Sequence, residues 1–182
     1  INKYVEKVIE TNSFLVDNII PDFITASDLK YLLTCLIRER VSVKNIVYIF
    51  EKINDYANEP TKEDLLDKVR LALSKHIIKD LAENNELKVI EFSDETLDKI
   101  YSFFKEDEDE AIVRIEANDV QDIVDRIGKF AKSKKIENPI LVVPMDIRHM
   151  VFVILAEFVR NITVLAHEEL VSDYNIKFVG KV

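Results

Sequence analysis

Pro139-Ile140-Leu141-Val142-Val143-Pro144 is the segment that decides the fold class of this chain. Four apolar residues between two prolines are typical of a short buried strand, because proline marks both ends and β-branched side chains pack well on a pleat. Asp146 can cap a helix over residues 146–159. The apolar residues of that helix recur at helical spacing, at Ile147, Met150, Val151, Ile154, Leu155 and Phe158. The pattern predicts a strand followed by a buried helix, with Phe158 in the core.

Two more strands are predicted after this helix. Residues 162–165 form another short apolar run. In the last stretch, residues 174–182, Ile176 and Phe178 alternate with Lys177, which is typical of a half-exposed strand. A strand, a helix and two further strands indicate the centre of an α/β layer.

The same alternation extends upstream of the opening segment. Residues 87–92 and 111–116 have strand-like patterns, and Ser93 and Asn118 can cap the helices that follow them. Strands that alternate with helices imply at least some parallel pairing. We therefore predict a small layered α/β unit with a mixed sheet.

The first part of the chain shows only helical periodicity. Ser27 and Ser42 are good caps for two of its helices, and Thr61 with Asp64 has the spacing of a capping box at the start of a long helix. The pattern becomes strand-like at Leu87. The sequence therefore predicts an α+β chain of two subdomains, an all-helical one at residues 1–85 and an α/β one at residues 86–182.

The composition limits the possible classes of protein. The chain has 182 residues, of which 48% are hydrophobic and 32% charged, and it has 2 Gly and 4 Pro, which is typical of a helix-rich globular protein. The net charge of −9 argues against nucleic acid as the main partner, because phosphate binding needs a basic face. Basic or mixed protein partners remain compatible with it.

The cysteine content and hydropathy indicate the cellular setting. Cys35 is the single cysteine, so an internal disulfide is excluded and a reducing compartment is indicated. The longest uncharged apolar run, residues 150–156, is far shorter than the ~20 residues that span a bilayer. The chain begins at Ile1 inside a helical pattern, and we expect it to be a fragment of a longer protein.

Three histidines are the first candidates for chemistry: His76, His149 and His167. They do not form a metal-ligand pattern, which needs three or four converging ligands. His76 adjoins an apolar helix face and His149 lies in a first helical turn, where a positive charge is disfavoured, so both are interpreted as structural. Neither glycine lies in a strand-to-helix turn of the kind that binds nucleotides. We predict no metal, no cofactor and no catalytic residue.

Two charged clusters can each be interpreted either as a functional site or as an ordinary polar turn or loop. His167 with Glu168 and Glu169 is enzyme-like, because a carboxylate beside an imidazole can tune acid–base catalysis. No nucleophile with an orienting base is near, so a polar turn leaving a strand is preferred. The acidic run at residues 106–110 lacks the alternating ligands and the glycine of a calcium loop. It is interpreted as a solvated loop between a helix and a strand.

Several motifs follow one another in a recognisable order. They are Val41-Ser42-Val43-Lys44, Val69-Arg70-Leu71-Ala72-Leu73, Leu87-Lys88-Val89-Ile90 and Val164-Leu165-Ala166-His167-Glu168-Glu169-Leu170, followed by Ile176-Lys177-Phe178-Val179-Gly180. In order and spacing the set resembles the FlhA/InvA family, the large export-gate proteins of flagellar and virulence type III secretion. Lys44 and Ala166 depart from the arginine and serine that are usual there. Within the family, the flagellar branch is favoured.

The resemblance implies a non-enzymatic interaction module. The chain would be the third cytosolic subdomain, truncated, and the fourth, without the membrane-spanning half and the first two subdomains. In the family this region forms a nonameric ring on the cytoplasmic face of the bacterial inner membrane. Its expected partners are further copies of the chain, export chaperone–substrate complexes and the stalk of the export ATPase. Any contact with the membrane would be made by the missing amino-terminal part.

A ring needs two different patches that meet between copies, and the helical subdomain contains two clusters of opposite charge. The basic cluster consists of Arg38, Arg40 and Lys44. The acidic cluster consists of Glu59, Glu63, Asp64 and Asp67. We predict that these residues form the ring interface, although solvated helix ends would show the same pattern.

A second class of protein also fits the pattern. A small α/β enzyme or nucleotide-binding protein with a helical lid would combine the same elements. A pocket lined by His167, Glu168 and a basic neighbour would favour that alternative.

Overall fold

The computed structural model describes residues 1–17, 24–103, 106–107, 110–111 and 117–182, and these divide into two compact units. The first unit is Ile1–Leu81 and the second is Ala82–Val182. Helices make up the first unit: α1 (Asn2–Thr11), α2 (Ser13–Asp17), α3 (Ala26–Arg38), α4 (Ile46–Asp55) and α5 (Lys62–Leu81). Within the described ranges, no helix is both long enough and apolar enough to cross a membrane.

Capping side chains fix where these helices begin. Thr25, and not Ser27, caps α3, because Thr25 and Asp28 each accept a hydrogen bond from the other's backbone N–H. Asn45, and not Ser42, caps α4 by accepting from the backbone N–H of Tyr48 at 3.4 Å. Both predicted serine caps are therefore wrong. A carboxylate three residues on gives Thr25 a reciprocal partner that Ser27 lacks.

The predicted start of α5 is confirmed. The hydroxyl of Thr61 accepts from the backbone N–H of Asp64 at 3.0 Å and donates to the Asp64 carboxylate at 2.6 Å. The apolar side of α5 is buried along much of its length, at Leu65, Leu66, Val69, Leu73, Ile77 and Ile78. These side chains share the interior of the unit with buried leucines of α3 and with buried residues of α4.

Side-chain contacts show that α3 and α5 run parallel. Tyr31 in α3 reaches Glu63 in the first turn of α5, and Glu39, just after α3, reaches Arg70 further along α5. Residues further along α3 therefore contact residues further along α5, as in two helices that run in the same direction. In contrast, α4 runs antiparallel to α5, because the hydroxyl of Tyr48 near the start of α4 donates to the carbonyl of Ala72.

The second unit combines strands and helices. Its elements are β1 (Glu86–Glu91), α6 (Asp94–Ser102), β2 (Glu106–Asp107), β3 (Glu110–Ala111), α7 (Ala117–Lys134), β4 (Ile140–Val143), α8 (Met145–Leu155), β5 (Thr163–Ala166) and β6 (Asn175–Lys181). Four strands form one sheet in the order β5-β4-β1-β6. Each neighbouring pair in it is parallel.

The prediction of a mixed sheet is therefore wrong. Residues 167–174 bring the chain from the carboxyl end of β5 back to the start of β6 at the other edge, so β6 runs in the same direction as β1. A connection of only eight residues looks in sequence like a turn between antiparallel strands. The sequence pattern therefore did not predict that β6 runs parallel to β1. Antiparallel pairing occurs outside this sheet, in the separate ladder of β2 with β3 and in an isolated bridge between Glu83 and Glu86.

A hydrophobic core lies between the sheet and its helices. It contains residues from β1, β4 and β5 packed with residues from α6, α7 and α8, among them Ile90, Ile100, Ile127, Leu141, Val151 and Val164. Leu87, Val89, Val142 and Leu165 are also buried. The four apolar residues of the opening segment form β4 and are all buried, as their position between two prolines predicts.

The helix after β4 differs from its prediction at both ends. It begins at Met145 with Pro144 as the preceding residue, and the carboxylate of Asp146 instead accepts a hydrogen bond from the Tyr101 hydroxyl at 3.0 Å. It ends at Leu155, four residues earlier than predicted. Phe158 consequently lies outside the helix and is 58% exposed. The prediction that Phe158 is a core residue is wrong, because helical spacing has no meaning beyond the end of the helix.

Three other predictions concern the helices and strands around α6 and α7. Ser93 caps α6, as predicted, by accepting from the N–H of Thr96 at 3.2 Å. Asn118 was predicted as a cap but lies inside α7, which begins at Ala117. The acidic run predicted as a loop contributes to the two short strands of the β2–β3 ladder. Most of the predicted strand at 111–116 lies outside the described residues, as do residues 108–109.

A tight turn precedes β1. Asn84 and Asn85 both have positive φ, at 51° and 63°, and Glu83 and Glu86 exchange two backbone hydrogen bonds of 2.9 Å across them. This is the geometry of a two-residue hairpin turn, in which asparagine is favoured because it tolerates the left-handed region. The polar residues that mark the change of periodicity therefore form a hydrogen-bonded turn.

Candidate functional site

The basic cluster of the sequence lies at the carboxyl end of α3 and in the segment that follows it. Arg38 is the last residue of α3, and Arg40 has a φ of 59°. Two bonds close the helix end, from the Val41 N–H to the Leu36 carbonyl at 2.8 Å and from the Arg40 N–H to the Ile37 carbonyl at 3.1 Å. This is a Schellman motif, which sets the direction in which the chain leaves the helix.

The acidic cluster lies at the other end of the same helix pair. Glu63 accepts a hydrogen bond from the Tyr31 hydroxyl at 3.3 Å, and the Lys62 ammonium lies 4.4 Å from the centre of the Tyr31 ring. Burial, with the nearby Cys35 and Glu63, raises the pKa of Tyr31. Asp64 is held in the cap of α5 by Thr61. Glu63 and Asp64 are thus held on a formed helix start, whereas Glu59 lies in the connector before it.

The two clusters are separated along the helix pair. Glu63 is in the first turn of α5, whereas Lys44 shares a groove with residues near the end of α5, such as His76 and Asp80. At 1.5 Å per helical residue, the distance along α5 is about 20 Å. The acidic residues thus lie at or just before the start of α5, Lys44 lies near the end of α5, and Arg38 and Arg40 flank Glu39, which contacts the middle of α5. The role of these seven residues in an interface stays a prediction.

A groove of about 160 Å³ opens beside the basic cluster. Residues between α3 and α4, the first half of α4 and the last turns of α5 line it, and they include Val41, Lys44, Tyr48, Leu73, Ile77 and Lys79. The rings of Tyr48 and His76 lie 5.7 Å apart along one side. Sequence analysis did not predict this groove, because its apolar residues occupy ordinary core positions on both helices.

A buried ion pair connects α5 to the end of α3. Arg70 Nη1 lies 2.7 Å from Glu39 Oε2, and the two side chains are only 2% and 3% exposed. Glu39 stands between two exposed arginines in the sequence, where it reads as one of a run of surface charges. Its burial was missed for that reason. The only sequence signal was Arg70 on the apolar side of a helix.

The enzyme-like cluster lies in the second unit, at the carboxyl end of β5. His167 Nε2 is 3.2 Å from Glu91 Oε1 at the end of β1, and Glu168 is exposed. Glu169 is buried and accepts a hydrogen bond from the Ala166 backbone N–H at 2.7 Å, which closes a short 3₁₀ turn. The three residues thus form a polar turn. Over the residues that the structure describes, no group of three or more His, Cys, Asp or Glu side chains could hold a metal ion.

A helical unit followed by a small parallel α/β unit is a fold shared with about half of each solved structure compared below. The chain superposes with a TM-score of 0.75 on the nonameric EscV cytosolic domain, at 20% identity over 99% of this chain and 54% of the other. Shigella flexneri MxiA gives a TM-score of 0.80 at 22% identity, over 99% of this chain and 57% of the other. CdsV of Chlamydia pneumoniae, solved in complex with CdsO, gives 0.75 at 19% identity, over 99% and 53%.

The chain belongs to the FHIPEP family, whose model matches residues 1–175. Among the curated relatives, the flagellar biosynthesis protein FlhA of Bacillus subtilis is 30% identical over 177 residues. That match covers 95% of this chain and 26% of the relative, so the chain spans about a quarter of that protein's length. The expected resemblance to the FlhA/InvA family is confirmed.

Proposed function

We propose that the chain is a non-enzymatic part of the cytosolic ring of a type III protein export gate. The helical unit contributes to ring assembly, and the α/β unit contributes to docking of export partners. The observation that carries this proposal is the separation of the acidic residues at the start of α5 from the basic residues at and beyond the end of α3. Support also comes from the family and from the fold that the chain shares with the nonameric EscV cytosolic domain.

The charge arrangement is compatible with a ring. In a head-to-tail ring the basic patch of each copy meets the acidic patch of the next, so the two patches of one copy contact two different neighbours, whereas in a two-fold dimer both would contact the same partner. Here Arg40 and Lys44 of one copy would face Glu63 and Asp67 of the next. Complementary charges of this kind fix register and speed association more than they add affinity.

The remaining roles concern the rest of the secretion system. Residues 1–85 would correspond to the third cytosolic subdomain and residues 86–182 to the fourth. The α/β unit would meet chaperone–substrate complexes and the stalk of the export ATPase, and the complex of CdsV with CdsO supports a secretion-system partner for this part of the family. The ring would lie on the cytoplasmic face of the bacterial inner membrane. The identity to the Bacillus subtilis protein favours a flagellar gate.

Sedimentation velocity tests the ring proposal on this chain. In low salt we expect weak concentration-dependent association, which decreases as added salt screens exposed charges. Arg40→Glu with Lys44→Glu should abolish it, and Glu63→Lys with Asp67→Lys in the same chain should partly restore it. Lys3→Glu with Lys7→Glu, two exposed changes on α1 that alter the net charge by the same amount, is the control and should leave association nearly unchanged. Association that is unchanged by both pairs of charge reversals would contradict the proposal.

A further inference from the structure

The groove of the helical unit has the properties of a protein-docking site. Its floor is apolar, with Val41, Ile49, Leu73 and Ile77, and its volume is about 160 Å³. A cavity of about that size holds one small aromatic ring. The groove therefore fits a single ring-sized side chain rather than a cofactor or an entire helix.

The rim of the groove is cationic on a chain whose net charge is −9. Lys44 and Lys79 stand at the rim with one carboxylate, Asp80. Both lysines are exposed, and neither forms an ion pair within the part of the chain that the structure describes. An apolar floor under two lysine ammonium groups suits a segment in which an apolar side chain adjoins a carboxylate.

This chain itself contains such a segment, in the connector between α4 and α5 at residues 56–61. The connector carries Glu59 beside an exposed proline, Pro60, and the Glu59 N–H bonds to the Tyr56 carbonyl at 3.0 Å in a compact turn. The pyrrolidine ring of proline is small, rigid and apolar, and its fixed φ lowers the entropy lost on docking.

A connector cannot reach the groove of its own chain. It follows the end of α4, whereas the groove lies at the start of α4, and α4 has 10 residues. The two sites are thus separated by about 15 Å along the helix. A connector that occupies the groove must therefore belong to another copy.

We propose that the groove receives the α4–α5 connector of a neighbouring copy, with Pro60 on the apolar floor and Glu59 between Lys44 and Lys79. This inference rests on the proposed ring and names the contact that would determine its register. It adds an apolar component, which charge pairing alone does not supply, and it brings the acidic start of α5 towards the basic end of the next copy.

Photo-crosslinking with isotopically mixed chains tests this contact. We would place p-benzoylphenylalanine at His76, which lines the groove and leaves both lysines intact, mix ¹⁴N and ¹⁵N copies in low salt, irradiate the sample and identify cross-linked peptides by mass spectrometry. The expected product joins position 76 of one copy to residues 56–61 of a copy with the other isotope. The same label at Lys68, exposed on α5 outside the groove, should give no such heavy–light product.

Two variants complete the test. Lys79→Glu should weaken association at least tenfold, because it places a second carboxylate beside Glu59. Pro60→Asp should do the same, because it places a polar group on the apolar floor. Association that persists while position 76 cross-links only elsewhere would overturn the groove contact and leave the ring proposal standing. Absence of association in the unsubstituted chain would overturn both. A cross-link between the labelled position of one copy and residues 56–61 of another would support both the groove contact and the ring proposal.

Discussion

Arg70 Nη1 of α5 lies 2.7 Å from Glu39 Oε2, one residue beyond the end of α3, and both side chains are almost completely buried. A buried charge without its partner is very costly, so the pair allows little sliding of one helix along the other. Glu39 and Arg70 therefore help to hold the basic end of α3 beside the middle of α5 and away from the acidic start of α5. The fixed register is what separates the two charged patches.

Removing one member of this ion pair should destabilise the helical unit strongly. Arg70→Met leaves the Glu39 carboxylate buried without its guanidinium, and we expect a loss of about 3–5 kcal/mol in the free energy of unfolding. Arg70→Met with Glu39→Met should recover most of that loss, because two apolar side chains replace two charges. Urea denaturation measures both. A single variant as stable as the unsubstituted chain would show that the pair contributes little to stability.

Phe152 and Phe158 provide a matched pair of truncations near α8. Phe152 is 6% exposed within the core of the second unit, and Phe158 is 58% exposed beyond the helix end. Phe152→Ala should cost about 3–5 kcal/mol, as large core truncations do. Phe158→Ala should remain within about 0.5 kcal/mol, as surface substitutions do. Thermal or urea unfolding of the two variants side by side checks the assignment, which an equal loss would refute.

Gly180 in β6 is required by the close approach of an aromatic ring. A Cβ at this position would lie 2.4 Å from Cζ of Phe130, and Gly180 has a φ of 157°. Gly180→Ala should therefore cost about 1–3 kcal/mol through overpacking. Phe130→Leu in the Gly180→Ala background should recover part of this loss by making room, while Phe130→Leu alone should destabilise. If the double variant is no more stable than Gly180→Ala, a cause other than the ring is responsible.

The pairing of β1 with β6 should show a defined pH dependence. Lys177 of β6 donates to the carboxylate of Glu86 in β1, and this contact, ahead of other causes, lowers the pKa of Glu86. A lowered folded-state pKa gives stability that is present above the unfolded value, near 4.3, and is lost as pH falls through the folded value. Glu86→Gln should therefore lower the urea midpoint at pH 7 but not at pH 2. An equal difference at both pH values would rule out ionisation of Glu86 as its source.

Sequence reasoning predicted those parts of the fold in which local pattern and burial agree. The prolines around β4, the capping pair of Thr61 with Asp64 and the cap at Ser93 all depend on neighbouring residues. The direction of β6 depends on how residues 167–174 cross the sheet, and no local pattern encodes that direction. The helical spacing of apolar residues continues to Phe158, and nothing in that spacing marks the end of the helix at Leu155. The prediction therefore extended the helix too far.

The site was predictable in composition but not in arrangement. Charge clusters are visible in the sequence, so the seven charged residues could be named in advance, while their role in an interface stays a prediction. Their separation depends on the parallel packing of α3 with α5, which the buried contact of Glu39 with Arg70 reveals only in three dimensions. The groove was missed because Ile49 and Leu73 look the same in sequence whether they line a core or a surface cavity.

Cross-linking between Lys44→Cys and Glu63→Cys tests the central claim that the basic end of one copy meets the acidic end of the next. The two positions are about 20 Å apart along α5 within one chain, so a short bismaleimide cannot join them internally. The native Cys35 is buried and should not compete. In low salt we predict a ladder of covalent oligomers from the double-cysteine chain, lost in high salt and absent from either single variant. Only monomers under all conditions, or equal yields from the single variants, would contradict the account.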